Sequence, residues 1–185
     1  MEINHLNDKV FTISNVLTHE ECQHYIGLTE QMGYAEAPVT TSRGPKMMPD
    51  FRNNERVMYD TPEIAEDLWQ KIKGCIPANY RNASKQAVGL NERLRFYKYH
   101  PGQEFKEHMD GRYRRNQYES SLLTLLIYLN GDFKGGETKF RDVTVVPETG
   151  LALVFQHKVL HAGMPVLEGI KYVLRSDVMF RRGDE

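Results

Sequence analysis

The chain has 185 residues, 40% hydrophobic and 26% charged, with a formal net charge of −1. That length fits one domain, the apolar share supports a packed core, and the charge balance supplies no basic field for nucleic acid or an anionic membrane. Two cysteines, Cys22 and Cys75, do not make a disulfide framework or a zinc site. The first residues are polar where a signal peptide needs an apolar run, and no stretch is apolar enough to span a bilayer. A cytoplasmic protein with no membrane partner is therefore expected.

Val10 to Ile13 predicts a short strand. Thr18 followed by Glu21 is a capping-box pattern opening a helix to about Met32, with Gly33 as its stop. Ala35 to Arg52, including Thr40, Thr41, Ser42, Arg43 and Gly44, has no period and reads as a long loop of the kind that forms lids. Arg56 to Asp60 predicts a strand. Pro62 then starts a helix whose stripe is Ile64, Ala65, Leu68, Trp69, Ile72 and Ile76.

From Glu92 onward the period becomes two. Strands are expected at 93–100, 121–129, 138–140, 144–146, 150–156, 164–166 and 171–180, punctuated by turns at Asn130-Gly131 and Gly135-Gly136. Helices followed by many short strands predict one α+β domain. Residues 1–90 would give helical support and a lid loop, and residues 91–182 a jelly-roll or sandwich core.

The chemistry concentrates in His108-Met109-Asp110. Residues two apart on a strand share a face, so His108 and Asp110 point the same way. Two imidazoles and one carboxylate are the usual set for non-haem Fe(II) with open coordination positions. The second imidazole is His161 or His157, which are four residues apart and share a strand face.

Four motifs stand in order: Tyr99…Gly102…His108-Met109-Asp110, then 124–130, then 135–140, then His161-Ala162-Gly163 running on to Lys171. Together they resemble the prolyl-4-hydroxylase-type family of 2-oxoglutarate- and Fe(II)-dependent dioxygenases, over roughly residues 90–182. The resemblance implies a double-stranded β-helix, iron held by His108, Asp110 and His161, and O2 and 2-oxoglutarate as cosubstrates, with ascorbate a possible addition. It implies that Lys171 receives the distal carboxylate of 2-oxoglutarate, with Arg175 as rival, and that Tyr128 and Tyr99 line the same pocket. Thr124 and Thr138 are lesser donors. The carboxylate at Asp110 disfavours halogenation, since related halogenases lack it.

The reaction so implied is hydroxylation of an unactivated C–H bond, in an amino-acid residue of a protein or in a free amino acid. Arg95 and Tyr97 alternate with Tyr99 toward the pocket, and Arg112, with Arg114 and Arg115, follows the ligand pair; Arg95, Tyr97 and Arg112 are the substrate candidates. Nucleic-acid demethylation by the same chemistry and a non-catalytic metal-binding jelly roll are the competing readings. The substrate's identity and the oligomeric state carry no signal in the sequence.

Overall fold

The computed structural model describes residues 1–41, 43–80 and 85–182. Ser42 of the expected loop lies outside them. The chain is mostly sheet, which corrects the α+β expectation of a leading helical half. It opens with two strands, Ile3–Asn7 and Val10–Ile13, that pair with each other and extend the main sheet.

Two α-helices lie among the described residues. His19–Met32 begins where Thr18 Oγ1 accepts from the Glu21 N–H at 3.2 Å, and Glu21 Oε2 accepts from the Thr18 N–H at 2.9 Å. These reciprocal bonds satisfy orphan donors of the first turn. Pro62–Ile72 starts with proline, whose missing N–H costs nothing there, behind the Thr61 cap. Lys71 ties the second helix to Glu21 of the first at 2.8 Å. Neither helix is long and apolar enough to cross a membrane.

Among the described residues the main sheet has ten strands. Its centre is Lys171–Arg182, which pairs antiparallel with Arg93–Tyr99 on one side and Glu119–Tyr128 on the other. Strand parity divides the chemistry. Leu94, Phe96, Leu125, Ile127, Leu174 and Val178 point to one face, where Ala65, Leu68 and Ile72 of the second helix close a core. Tyr97, Tyr99, Tyr128 and Val173 point to the other. There they meet Phe140 and Val145 of a second, four-stranded sheet built from Phe105–His108, His161–Gly163, Thr138–Phe140 and Thr144–Val145.

Three local expectations are revised. The segment Ala35 to Arg52 carries a hairpin, Val39–Thr41 with Gly44–Lys46, and a short strand, Ala35–Glu36, paired to Glu55–Asp60. The strand expected at 164–166 is two strands, His161–Gly163 and Val166–Glu168. Lys85–Leu90, which the alternation did not reveal, pairs with the far end of Lys171–Arg182.

Candidate functional site

His108 ends the strand Phe105–His108 and sits directly opposite His161 in register. Asp110 lies just beyond that strand, its N–H donating to the His157 carbonyl at 2.9 Å. His108 and Asp110 therefore approach the same point without sharing one regular strand. One ligand-type atom from each of His108, Asp110 and His161 lies within 4.8 Å of the others. His108 Nε2 is 3.8 Å from Asp110 Oδ1, and His161 Nε2 is 3.7 Å from Asp110 Oδ2.

Backbone carbonyls set both tautomers. His108 Nδ1 lies 2.7 Å from the Lys106 carbonyl and His161 Nδ1 lies 2.9 Å from that of Val159. A carbonyl only accepts, so each Nδ1 carries the proton and each Nε2 presents a lone pair toward Asp110. Burial pushes His108 down to about 4 and lowers His161 as well, so both imidazoles are neutral at pH 7. Burial opposes ionisation of Asp110, but Arg175, His161 and the Thr124 hydroxyl outweigh it and keep the carboxyl well below its ordinary range. Two neutral imidazoles and a carboxylate, all deprotonated where a cation would sit, form a donor set that fits a divalent metal.

His157 is engaged elsewhere. Thr124 Oγ1 is 2.6 Å from Asp110 Oδ2 and 2.9 Å from His157 Nδ1, while His157 Nε2 is 2.7 Å from Ser121 Oγ. The carboxylate only accepts, so the Thr124 hydroxyl donates to Asp110, His157 Nδ1 donates to Thr124 Oγ1, and His157 Nε2 accepts from Ser121. Ser121 in turn accepts from the Tyr113 N–H at 2.8 Å. The chain of bonds is complete with neutral His157, and it leaves no nitrogen for a metal. Thr124 thus bonds Asp110 rather than a cosubstrate.

A cavity runs inward from the cluster, with Tyr99, Thr138, Lys171 and Arg175 among its walls. Lys171 and Arg175 are four residues apart on one strand, so about 13 Å of strand separates them. Arg175 is at the cluster end, 3.0 Å from Asp110 Oδ1 and 3.5 Å from Asp177 Oδ1. Lys171 is at the inner end, 3% exposed, with its Nζ donating to the Gly136 carbonyl at 2.6 Å. The Gly135-Gly136 turn therefore delivers a carbonyl to this amine as well as reversing the chain. The Lys171 ammonium also lies 5.1 Å from the Tyr99 ring centre and 5.6 Å from that of Tyr128. No carboxylate pairs with it among the described residues, and burial pushes it down to about 7. A buried amine with one neutral acceptor, at the end of a cavity, fits the carboxylate of a bound anion.

The other sequence candidates separate. Tyr99 lines the cavity, opposite Lys171 in register. Tyr128 lies beneath it, its hydroxyl donating to Thr138 Oγ1 at 2.7 Å. Arg95, Tyr97 and Arg112 line a wider groove that shares His108 and Asp110 with the cavity, and Tyr97 lines the cavity as well; Arg95 pairs with Asp177 at 3.2 Å. Burial would raise the Tyr97 phenol, but Arg175, Arg52 and Arg95 outweigh it and hold it below its ordinary value. Arg115 turns away to Glu92 and Glu119, so it does not rim the site. Arg52 and Arg56, which the sequence reading passed over, also line the groove.

A family model described as the 2OG-Fe(II) oxygenase superfamily matches residues 94–176. The "Putative prolyl 4-hydroxylase" of Acanthamoeba polyphaga mimivirus is 35% identical over 188 residues, covering 90% of this chain and 72% of that protein. Prolyl 4-hydroxylase 2 of Arabidopsis thaliana is 24% identical over 201 residues, covering 89% of this chain and 64% of the plant protein. Among solved structures, the 2OG complex of the viral collagen prolyl hydroxylase from Paramecium Bursaria Chlorella virus-1 aligns with a TM-score of 0.65 at 21% identity, over 94% of this chain and 97% of that one. A prolyl-4-hydroxylase from Pseudomonas putida aligns with a TM-score of 0.65 at 16% identity, over 95% and 94%. At those identities the structural likeness carries the fold.

Proposed function

Because the chain belongs to the 2OG-Fe(II) oxygenase superfamily, we propose that this dioxygenase hydroxylates an unactivated C–H bond of an amino-acid side chain, in a peptide or in a free amino acid. The family uses Fe(II) and 2-oxoglutarate. In this reading the two sheets form its double-stranded β-helix, and His108, Asp110 and His161 hold the iron. The observation that carries the assignment is the convergence of two carbonyl-fixed Nε2 lone pairs on Asp110, at the mouth of a cavity ending in an unpaired buried lysine.

Bound Fe(II) would activate O2, which supplies the oxidising equivalents for decarboxylation of 2-oxoglutarate and for C–H hydroxylation. The chain's own groups do the positioning. Lys171 takes the distal carboxylate, helped by Tyr99 along the cavity wall, while Thr138 is held by Tyr128. Arg175 stays at the other end, where it fixes the Asp110 carboxylate, so it is not the main partner of the distal group. Thr124 holds the second oxygen of that carboxylate. The names of the relatives make a prolyl residue the leading candidate substrate. Neither nucleic-acid demethylation nor a non-catalytic scaffold finds support among them.

The test is succinate release in air with Fe(II), 2-oxoglutarate and a panel of proline-containing peptides and free amino acids. At least one member should raise succinate above the rate without it and gain one oxygen by mass. A panel in which every member leaves the rate unchanged and unmodified by mass would overturn the substrate class.

Thr124→Val tests the support behind Asp110. The variant removes the proton donor to Oδ2 and leaves His157 Nδ1 without an acceptor. Loss of such a partner to a ligand typically weakens metal binding about 10–100-fold. A metal competition titration should find that loss; unchanged affinity would mean that Asp110 is oriented by Arg175 alone.

A further inference from the structure

The wider groove is far more basic than the chain as a whole. Among the described residues five arginines line it, Arg52, Arg56, Arg95, Arg112 and Arg175, against two carboxylates, Asp110 and Asp177. Metal binding would draw further on the charge of Asp110, leaving the groove more positive still. Arg95 and Arg175 are already committed to those carboxylates. Arg52 and Arg56 have no carboxylate within ion-pair reach among the described residues.

Arg52 is the more telling of the two. It is 4% exposed, and an isolated buried charge is costly unless something compensates it. Its Nε donates to Asn54 Oδ1 at 2.7 Å, and its Nη2 is buried with no hydrogen-bond partner among the described residues. Asn54 is itself fixed, donating to the Glu55 carbonyl at 2.8 Å. The guanidinium lies over two aromatic rings, 4.7 Å from the centre of Tyr97 and 4.5 Å from that of Phe105. Those contacts orient it and offset part of the desolvation without neutralising it. Phe105 in turn stacks on His108 with centroids 3.5 Å apart. The unpaired cation is thus one aromatic ring from a candidate metal ligand.

Arg56 stands across from Tyr97 in the neighbouring strand. Burial and the nearby guanidiniums of Arg52, Arg95 and Arg175 push it below its ordinary value, a tension that an anion would relieve. A guanidinium presents parallel donors matched to a carboxylate, and two of them on one wall select for that group over a neutral amide.

We propose that Arg52 and Arg56 receive a carboxylate of the substrate, so that the enzyme selects molecules carrying an anion close to the carbon it oxidises. This rests on the dioxygenase reading above. The carboxylate belongs either to a free amino acid or to an acidic residue beside the target residue in a peptide, and the same chemistry recognises both.

The experiment uses the wild-type protein loaded anaerobically with Fe(II) and 2-oxoglutarate, with calorimetry as the readout. The probes are the twenty L-amino acids against their amides, and acetylated, amidated tripeptides ending in Glu against the same peptides ending in Gln. At least one carboxylate probe should bind tenfold or more tightly than its amide. Arg52→Met, and independently Arg56→Met, should cut that preference to threefold or less. Preference confined to the amino acids assigns a free amino acid as the source; preference confined to the Glu peptides assigns an acidic peptide. No acid-over-amide preference in any pair, or a preference that survives both substitutions, overturns the proposal. Failure of the wild type to bind 2-oxoglutarate, seen before any probe is added, would instead sink the reading on which the proposal rests.

Discussion

Asp110→Ala and His108→Ala should each abolish measurable Fe(II) binding and lower 2-oxoglutarate turnover by at least about 1000-fold. Losing a partner behind a ligand costs about 10–100-fold, and losing the ligand itself costs more. The two variants differ in what they do to the metal-free protein. Asp110 is the closer of the two carboxylates on half-buried Arg175, at 3.0 Å against 3.5 Å for Asp177. Removing it strips that largely desolvated cation of its main partner, a loss of about 3 kcal/mol. His108→Ala touches no ion pair of that kind, and its cost is the stacking on Phe105, about 1 kcal/mol. Urea unfolding of the metal-free variants, beside iron binding by equilibrium dialysis, checks both halves. The Asp110 contribution has a defined pH sense, because its folded value is depressed. It is fully present above the ordinary carboxylate range and is lost as pH falls through the depressed value.

Lys171→Met should weaken 2-oxoglutarate binding by about 100-fold or more, since a buried carboxylate left without its cation bears most of its desolvation cost. The same change should leave stability at pH 6 unchanged or improved. In the free protein Lys171 is buried, has no carboxylate partner among the described residues and is pushed down to about 7, so at pH 6 it costs free energy to bury its charge. Between pH 7 and the ordinary lysine range the unfolded chain binds the extra proton, so stability contributed at this site rises with pH. Anion binding runs the other way. The dicarboxylate requires the ammonium form, so above pH 7 binding takes up a proton and affinity should fall by up to about tenfold per pH unit. Calorimetry at pH 6.5 and 8.5, for wild type and Lys171→Met, reads all of this together. A variant that loses stability while keeping 2-oxoglutarate affinity would make Lys171 a structural residue.

What was legible in the sequence is what local chemistry writes into it. Thr18 with Glu21, and Pro62, mark helix starts because caps satisfy backbone donors close in sequence and proline has no N–H to leave unpaired in the first turn. The period of two along 93–100 foretold that Arg95, Tyr97 and Tyr99 share a face, and the spacing of four that Lys171 and Arg175 do. The cluster of His108, Asp110 and His161 was legible through the four motifs standing in order, because the spacing of His108 and Asp110 alone is weak and left His157 as a rival to His161. Ile3–Asn7 was not, since an edge strand exposed along most of its length has no apolar alternation to show. Two placements depended on partners distant in the chain. His157 is the rival to His161 in the sequence, and Thr124 and Ser121 occupy both its nitrogens. Arg52 sits in a stretch without period, and only its position between Tyr97 and Phe105 sets it apart.

The most direct test of the central claim is an anaerobic visible titration of the metal-free protein with Fe(II) and then 2-oxoglutarate, with His108→Ala as control. The account predicts a charge-transfer band that appears in the wild type only when both are present, and that is absent from the control. A folded wild-type protein that binds iron yet shows no band on adding 2-oxoglutarate would contradict the account.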